Sequence, residues 1–548
     1  MTLKTKVRLL LLMFYLGFAV IIIKLTNLQL FPDSQYQNKI TRQTYKLKVQ
    51  NPLRGSINSS DQERLAFNTD YYLLSIYKPN LLDNLDSTIS QITQTKPQFL
   101  IDNQSLIDLF KYNAKQKWIT FPTAFSSEEI IFLKTIPGLE FKHYYGRNYP
   151  HGTLATQIIG TTITKNSGQV VGLSGLESYY QRQLSGKTGF AYSYEDALGN
   201  TIFPKKTWSL NKVDGQHLYT TINSKIQDLV ETKLSQGLSK YQAESGSITI
   251  IESATGKLLA MASLPLASAS ASQINPAIFN LFEPGSIFKP LVVAMALDSK
   301  TITPSYICSQ CHQPFVIGDY SITNWDMQTH PDSSLRDIIK NSDNIGMTTI
   351  IRRLGLPNFL IYYNSLGLSR KTGIDLQGEA KSIPKTSWPE IDLATASFGQ
   401  GIALTQIKML QIFNTLATDG LLLQPYVVDY LDNSQTQYHT KPKPPITIFQ
   451  SGAVAQTRTI LKYSVENGAV AKLKPKNLDV CAKSGTAQIA IKGKYSESSY
   501  ASYIGFSPCD HPLFTMIVTL KNPQSSSWGS STAAPIWFEI AAVLPNLL

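Results

Sequence analysis

Apolar residues crowd the start of the chain: Leu9 to Ile23 is an unbroken hydrophobic run apart from Gly17, and Val7 and Leu25 extend it. At about 19 residues the span suffices for one tilted bilayer crossing, with Lys24 reaching toward the interface. Lys4, Lys6 and Arg8 precede it and no small-residue cleavage site follows. The pattern therefore predicts a cytoplasmic tail over 1–6, a retained signal anchor over 7–25 and the bulk of the chain outside the cytoplasm. A buried core helix is the alternative, and the flanking charges argue against it.

Beyond the anchor, Leu28 to Gln50 is polar with scattered apolar positions and reads as a stem. Near Asn51 a new unit begins, with Arg54, Gly55 and Ile57, a polar turn over Asn58 to Glu63, and a short strand in LAFN. Asp70 to Ile136 mixes helical and polar segments without a chemical constellation and reads as scaffold. A second domain is expected from 216, leaving 26–215 as stem and non-catalytic pedestal. LYTTIN predicts a strand, SKIQDLVETKLSQGL a helix, and GSITIIESATGKLLAMASLP two strands around a turn at Thr255 and Gly256. Leu291 to Leu297 is apolar and rich in helix formers, as a buried helix is. Pro290 is harmless only among the first N–H groups of a helix, so this one begins near Ile287. VCAKSGTAQIA, SYIGFSP and LFTMIVTL return to strand, and an apolar helix follows from Ala533. Strands at both ends with helices between predict an α+β domain whose ends share one sheet.

Composition adds limits. The 548 residues, 43% hydrophobic and 16% charged, describe a globular chain of more than one domain. The net charge of +12 is spread without a basic tract, which suits an anionic envelope and excludes a nucleic-acid partner. Among the four cysteines, Cys308 and Cys311 in CSQCH spell the signature of covalent c-type haem attachment. Nothing nearby offers a second axial ligand and no second ligand pair suits zinc. The expectation is a dispensable loop, holding a small disulfide or free thiols, with no haem and no metal. Glu177 in GLE could be catalytic, but a lone glutamate at a helix start is more often a cap or ion-pair partner. No paired carboxylates suggest glycosidase chemistry.

The chemistry centres on Ser286 and Lys289 in EPGSIFKP. Three residues make nearly one helical turn, so hydroxyl and amine should share a face within reach of each other. To take the serine proton the lysine must be neutral, and burial plus the positive end of the helix dipole would lower its pKa. S-x-x-K alone is a weak signal. Two further motifs follow in order: Ser342-Asp343-Asn344, then Lys483-Ser484-Gly485-Thr486. S-x-x-K, S-x-N and K-S/T-G in that sequence form the penicillin-recognising serine pattern.

With these motifs the chain resembles the class B penicillin-binding proteins, the monofunctional, division-type peptidoglycan D,D-transpeptidases. The resemblance extends through RGSI, RNYP, GLSGLE, TGKLLAMASLP, GIDLQGE and FGQGIALTQIKMLQIFNTLATDG. Departures are small: Ala482 stands where the family often has glycine, Asn223 where many members have aspartate, and Asp343 does not settle the subfamily. The resemblance implies a serine β-lactamase-like α+β transpeptidase fold over 216–548, carried on a pedestal of the dimerisation type and a single transmembrane anchor. It implies that Ser286 attacks the D-Ala-D-Ala bond of a stem peptide, with Lys289 as base and Ser342 relaying a proton, assisted by Lys483. Asn344 would hold the substrate amide. Lys483 and Thr486 would bind the terminal carboxylate on the strand edge that Ser484 and Gly485 complete, and the N–H groups of Ser286 and Thr486 would receive the oxyanion. It further implies inhibition by β-lactam antibiotics, no metal or organic cofactor, a polytopic SEDS-type glycosyltransferase and other wall-synthesis proteins as partners, and a single-pass place in the bacterial cytoplasmic membrane with the catalytic domain outside. Residual carboxypeptidase activity belongs to the same chemistry. A serine β-lactamase shares all three motifs but leaves anchor and pedestal unexplained. A β-lactam sensor would need a cytoplasmic output, and a catalytically silent scaffold would normally have lost a motif residue.

Overall fold

The apolar N-terminal run folds as one helix, α1 (Leu3–Leu30), long and apolar enough to cross a membrane and with no buried residue. The computed structural model describes residues 2–30, 38–39, 45–81, 84–113, 115–165, 169–194, 208–266, 274–433, 435–491 and 494–548. Much of the stem expected over 28–50 therefore lies outside the described residues. The chain divides into two compact units, Met1–Leu53 with Gly186–Gly215, and Arg54–Ser185 with Gln216–Leu548. Besides α1, the first holds an antiparallel three-stranded sheet of Tyr45–Gln50, Gly189–Tyr194 and Trp208–Leu210.

The second unit begins with β1 (Ile57–Asn58), which turns back into β2 (Arg64–Tyr77). The sequence pattern gave β2 only the four residues LAFN. It runs on through the polar triplet Asn68-Thr69-Asp70 because the ladder with β4 (Leu139–Asn148) supplies main-chain partners whatever the side chains are. Two helices, Leu85–Thr95 and Gln98–Tyr112, lie between β2 and β3 (Trp118–Phe125), and Phe99, Phe121 and Phe125 pack the core beneath them. Past residue 216, β5 (His217–Thr220) pairs parallel with β1 and antiparallel with β8 (Val428–Asp432), which pairs with β9 (Gln437–His439). One seven-stranded sheet, in the order β9-β8-β5-β1-β2-β3 with β4 also on β2, thus crosses the expected boundary at 216.

The catalytic sheet matches the pattern read from sequence. Helix α2 (Ser224–Tyr241) is capped by Asn223, whose side chain accepts the N–H groups of Lys225 and Ile226. Then β6 (Ser245–Glu252) and β7 (Leu258–Leu264) form the hairpin, and β10 (Cys481–Ile491), β11 (Lys494–Ser507) and β12 (Phe514–Lys521) complete an antiparallel sheet ordered β7-β6-β12-β11-β10. Both faces are covered, so β6 and β12 are buried along nearly their whole length. On one face α2 and α7 (Ala533–Val543) contribute Ile226, Val230, Trp537 and Ile540; on the other lies the core built around α3 (Lys289–Asp298). Every residue of α3 from Lys289 to Leu297 is buried, as a helix apolar on all sides must be. It packs against α5 (Asn344–Leu366) and α6 (Ser451–Asn467), while α4 (Leu335–Asn341) leads into α5.

Candidate active site

The serine motif is a turn feeding a helix. Gly285 to Phe288 form a 3-10 turn that continues directly into α3, so Lys289 is the first α-helical residue and Pro290 follows where its missing N–H costs nothing. Gly285 has a φ of +58°, and its N–H donates to the carbonyl of Gly399 at 3.0 Å. That φ favours glycine at 285, and the close approach requires it at 399, where a Cβ would stand 2.2 Å from the Gly285 carbonyl oxygen.

The second motif is a corner between two helices. Helix α4 opens with a capping box between Ser334 and Asp337 and closes at Ser342, whose φ of 55° and ψ of 43° are left-handed. A non-glycine residue held there is strained, a condition that persists only when its surroundings over-determine it. Asp343 then caps α5 by accepting the Gly346 N–H at 2.7 Å, and Asn344 is the first helical residue. Each residue of the triplet thus has a backbone task.

The corner meets the turn. Lys289 Nζ donates to the Ser342 carbonyl at 2.6 Å and to Asn344 Oδ1 at 2.7 Å, and lies 3.2 Å from Ser342 Oγ. Ser342 Oγ in turn donates to Ser286 Oγ at 2.9 Å. Ser286 and Lys289 share a face as their spacing implies, but they are linked through Ser342 with no direct hydrogen bond between them. Asn344 has both ends of its amide engaged, since Nδ2 donates to the Thr323 carbonyl at 3.0 Å.

Burial holds the Lys289 ammonium well below its ordinary pKa; the nearby Lys483 cation adds to this and Asp343 opposes it. Lys483 is also buried, which alone lowers its pKa to about 8.

The third motif lies on β10, beside the serine turn. A Cβ on Gly485 would stand 2.9 Å from Ile287 Cγ2 and 3.1 Å from the Ile287 nitrogen, so only glycine lets the strand approach the turn so closely. Lys483 Nζ donates to the Ser484 carbonyl at 2.9 Å. Thr486 Oγ1 accepts the Gly529 N–H at 3.2 Å, leaving its own proton free to be donated elsewhere.

The motifs open onto a cleft of about 1010 Å³ lined by Ser286, Ser342, Asn344 and Lys483 through Thr486. Lys289, fully buried, stands behind its wall. The arrangement offers a hydroxyl, a proton path to a lysine that loses its proton easily, and a cationic strand edge. Those are the parts of an acyl-transfer site for a carboxylate-bearing substrate.

Sequence reasoning did not find Trp325 and Trp528, whose rings meet edge-on at 5.0 Å on the cleft lining, nor Asn324, His330 and Gly529 beside it. They stand on loops between elements, where no periodicity marks a residue.

Glu177 is fully buried between Arg54 and Arg147, each at 2.6 Å, and far from this cleft in its contacts. Cys308 is bonded to Cys311 and Cys481 to Cys509, so the sulfurs that haem attachment would use are joined to each other. Among the described residues no group of three or more His, Cys, Asp or Glu is arranged to hold a metal.

Residues 246–542 match the penicillin binding protein transpeptidase domain, and residues 49–220 match the penicillin-binding protein dimerisation domain. Stage V sporulation protein D of Bacillus subtilis (strain 168) is 28% identical over 74% of this chain and 65% of its own length. The peptidoglycan D,D-transpeptidase FtsI of Buchnera aphidicola subsp. Baizongia pistaciae is 25% identical over 98% of this chain and 94% of its own. FtsI of Escherichia coli (strain K12) is 24% identical over 78% and 71%. The fold is shared with penicillin binding protein 2X from Streptococcus thermophilus, with a TM-score of 0.76 at 22% identity over 92% of this chain and 81% of that one.

Proposed function

The chain belongs to the penicillin-binding protein family as a class B member with a transpeptidase domain, and from that premise we propose that it cross-links peptidoglycan through an acyl-enzyme on Ser286. Ser286 Oγ attacks the carbonyl carbon between the last two D-alanines of a stem peptide. Its proton passes by way of Ser342 to a neutral Lys289, the C–N bond breaks, and the departing D-alanine amine takes up a proton along the same path. The amine of a neighbouring stem then attacks the ester, forms the cross-link and returns the proton to Ser286. Water in place of that amine gives carboxypeptidase activity, and a β-lactam in place of the peptide leaves a stable ester.

One observation carries this reading: the hydrogen-bonded line from Lys289 Nζ through Ser342 Oγ to Ser286 Oγ, at 3.2 Å and 2.9 Å. With a charged lysine the line points its protons toward Ser286, and with a neutral one it runs in reverse. Lys483 and the free proton of the Thr486 hydroxyl bind the substrate carboxylate, and Ser484 shares that edge. Asn344 holds the substrate amide by exchanging its bond to Lys289 or Thr323 for one to substrate. The N–H groups of Ser286 and Thr486 receive the oxyanion, with roughly 3 to 4 kcal/mol at stake per donor.

The stem and pedestal occupy 26–215 and the catalytic domain 216–548. Similarity to proteins named FtsI supports a septal role, and α1 supports a single-pass anchor in the cytoplasmic membrane. Resemblance to class B members supports a polytopic SEDS-type glycosyltransferase as its partner.

Labelling with a fluorescent penicillin followed by mass spectrometry tests the chemistry. Ser286→Ala should abolish the adduct. Lys289→Ala keeps the nucleophile without its base, so slow labelling that recovers as pH rises is expected, reduced by roughly 10² to 10⁴-fold. An adduct on any other residue, or equal labelling of Ser286→Ala and wild type, overturns the assignment. Fast release of the label would instead favour the β-lactamase reading.

A further inference from the structure

Behind the corner that carries Ser342 and Asn344 lies a line of charged groups for which the reaction above has no use. Asp343 has no exposed surface; one carboxylate oxygen caps Gly346 and the other faces His330 Nδ1 at 3.0 Å. The far nitrogen of the ring, Nε2, lies 3.2 Å from Asp326 Oδ2. Asn324 fastens the same corner, its Oδ1 accepting the Asn344 N–H at 2.7 Å and the Ile345 N–H at 3.3 Å. A carboxylate has no proton to give, so the ring proton sits on Nδ1 and is donated to Asp343. Nε2 faces the second carboxylate, so the ring spans Asp343 and Asp326.

We propose that His330 is a positioning residue for acylation: through Asp343 it fixes the corner that presents Ser342 and Asn344 to Lys289. The inference rests on Lys289 being the base. The charged groups that matter can be named. Lys289 feels Asp343 and Lys483. His330 faces Asp343 and Asp326, and Lys340, which lines the same cleft from α4, is held by Asp337 at 3.1 Å.

A neutral Lys289 accepts the serine proton, so acylation rises with pH as the lysine deprotonates. His330→Ala removes the proton donor that faces Asp343; His330→Gln keeps one. The experiment is the second-order rate of penicillin acylation against pH for the full-length protein and both variants, with thermal melting alongside.

His330→Ala should be slower by about tenfold, short of the ~100-fold that an ångström of misplacement can cost. His330→Gln should regain most of the rate, because its amide still donates to Asp343, and the pH profile should keep its shape. If His330→Ala does not fold, His330→Leu, which fills the space without a donor, takes its place and should be as slow. A His330→Ala rate equal to wild type, or a loss that His330→Gln does not regain in folded protein, overturns the proposal. Persisting adduct in Ser286→Ala would instead overturn the mechanism on which the inference rests, so the two failures are distinguishable.

Discussion

In the proposed mechanism two lysines at this site must stand in opposite protonation states for the reaction to run. Lys289 works neutral, and its burial beside Lys483 favours that form. Lys483 works charged, because its task is to hold a carboxylate, yet burial brings its pKa down to about 8. Acylation by free enzyme should therefore rise with pH as Lys289 loses its proton and fall again as pH passes about 8 and Lys483 loses its own. Lys483→Arg keeps its charge through this range, so its profile should lose the falling limb whatever happens to the overall rate. A falling limb that survives in Lys483→Arg would mean that another group sets it. The residues of this site were legible from the chain because the three motifs are short and ordered. Their linkage through Ser342 was not, because it depends on a left-handed corner between two helices.

At the scale of elements, periodicity served best where packing is two-sided. β7, α3 and β12 are dense in apolar residues, so their pattern survives without tertiary context. It failed at β2, where main-chain pairing carries the strand through a polar triplet, and it carries no sign that β5, just past residue 216, joins a sheet begun by the pedestal. The pedestal motifs were visible as letters, but their purpose appears only when the elements meet. Arg54 precedes β1, Arg147 lies on β4 and Glu177 lies in the short helix Gly175–Tyr179. Arg54 also donates to the Glu177 carbonyl at 2.6 Å and to Gln181 at 2.9 Å, and Arg147 to the Gly55 carbonyl at 2.8 Å. Glu177→Ala leaves two guanidinium groups buried against each other, and breaking a buried pair in this way typically costs about 3 to 5 kcal/mol. Denaturant unfolding should register that loss, while penicillin labelling per folded molecule stays at the wild-type level. Unchanged stability would remove the structural role, and lost labelling in folded protein would restore a catalytic one.

For the whole molecule, α1 is long and apolar enough to cross a membrane, and the question is whether it would do more there than tether the chain. Insertion needs only length and apolarity, which any span of about 20 apolar residues supplies. Recognition of another membrane protein needs particular side chains at particular faces, because lipid and leucine are equally apolar and helices associate in a bilayer by close packing. Leu9 to Ile23 offers such a surface: Phe14, Tyr15 and Phe18 stand exposed on a helix with no buried residue, and Gly17 has nothing within 4 Å of the Cβ it lacks. Replacing Leu9 to Ile23 with an unrelated anchor of equal length should leave penicillin labelling of membranes unchanged, since the chemistry lies in residues 216–548. Midcell localisation of a fluorescent fusion and co-purification of a polytopic glycosyltransferase should both fall. If both persist with the foreign helix, α1 is a tether alone and the partner is held by the extracytoplasmic part. If labelling itself is lost while the protein remains in the membrane, the separation of anchoring from chemistry is wrong.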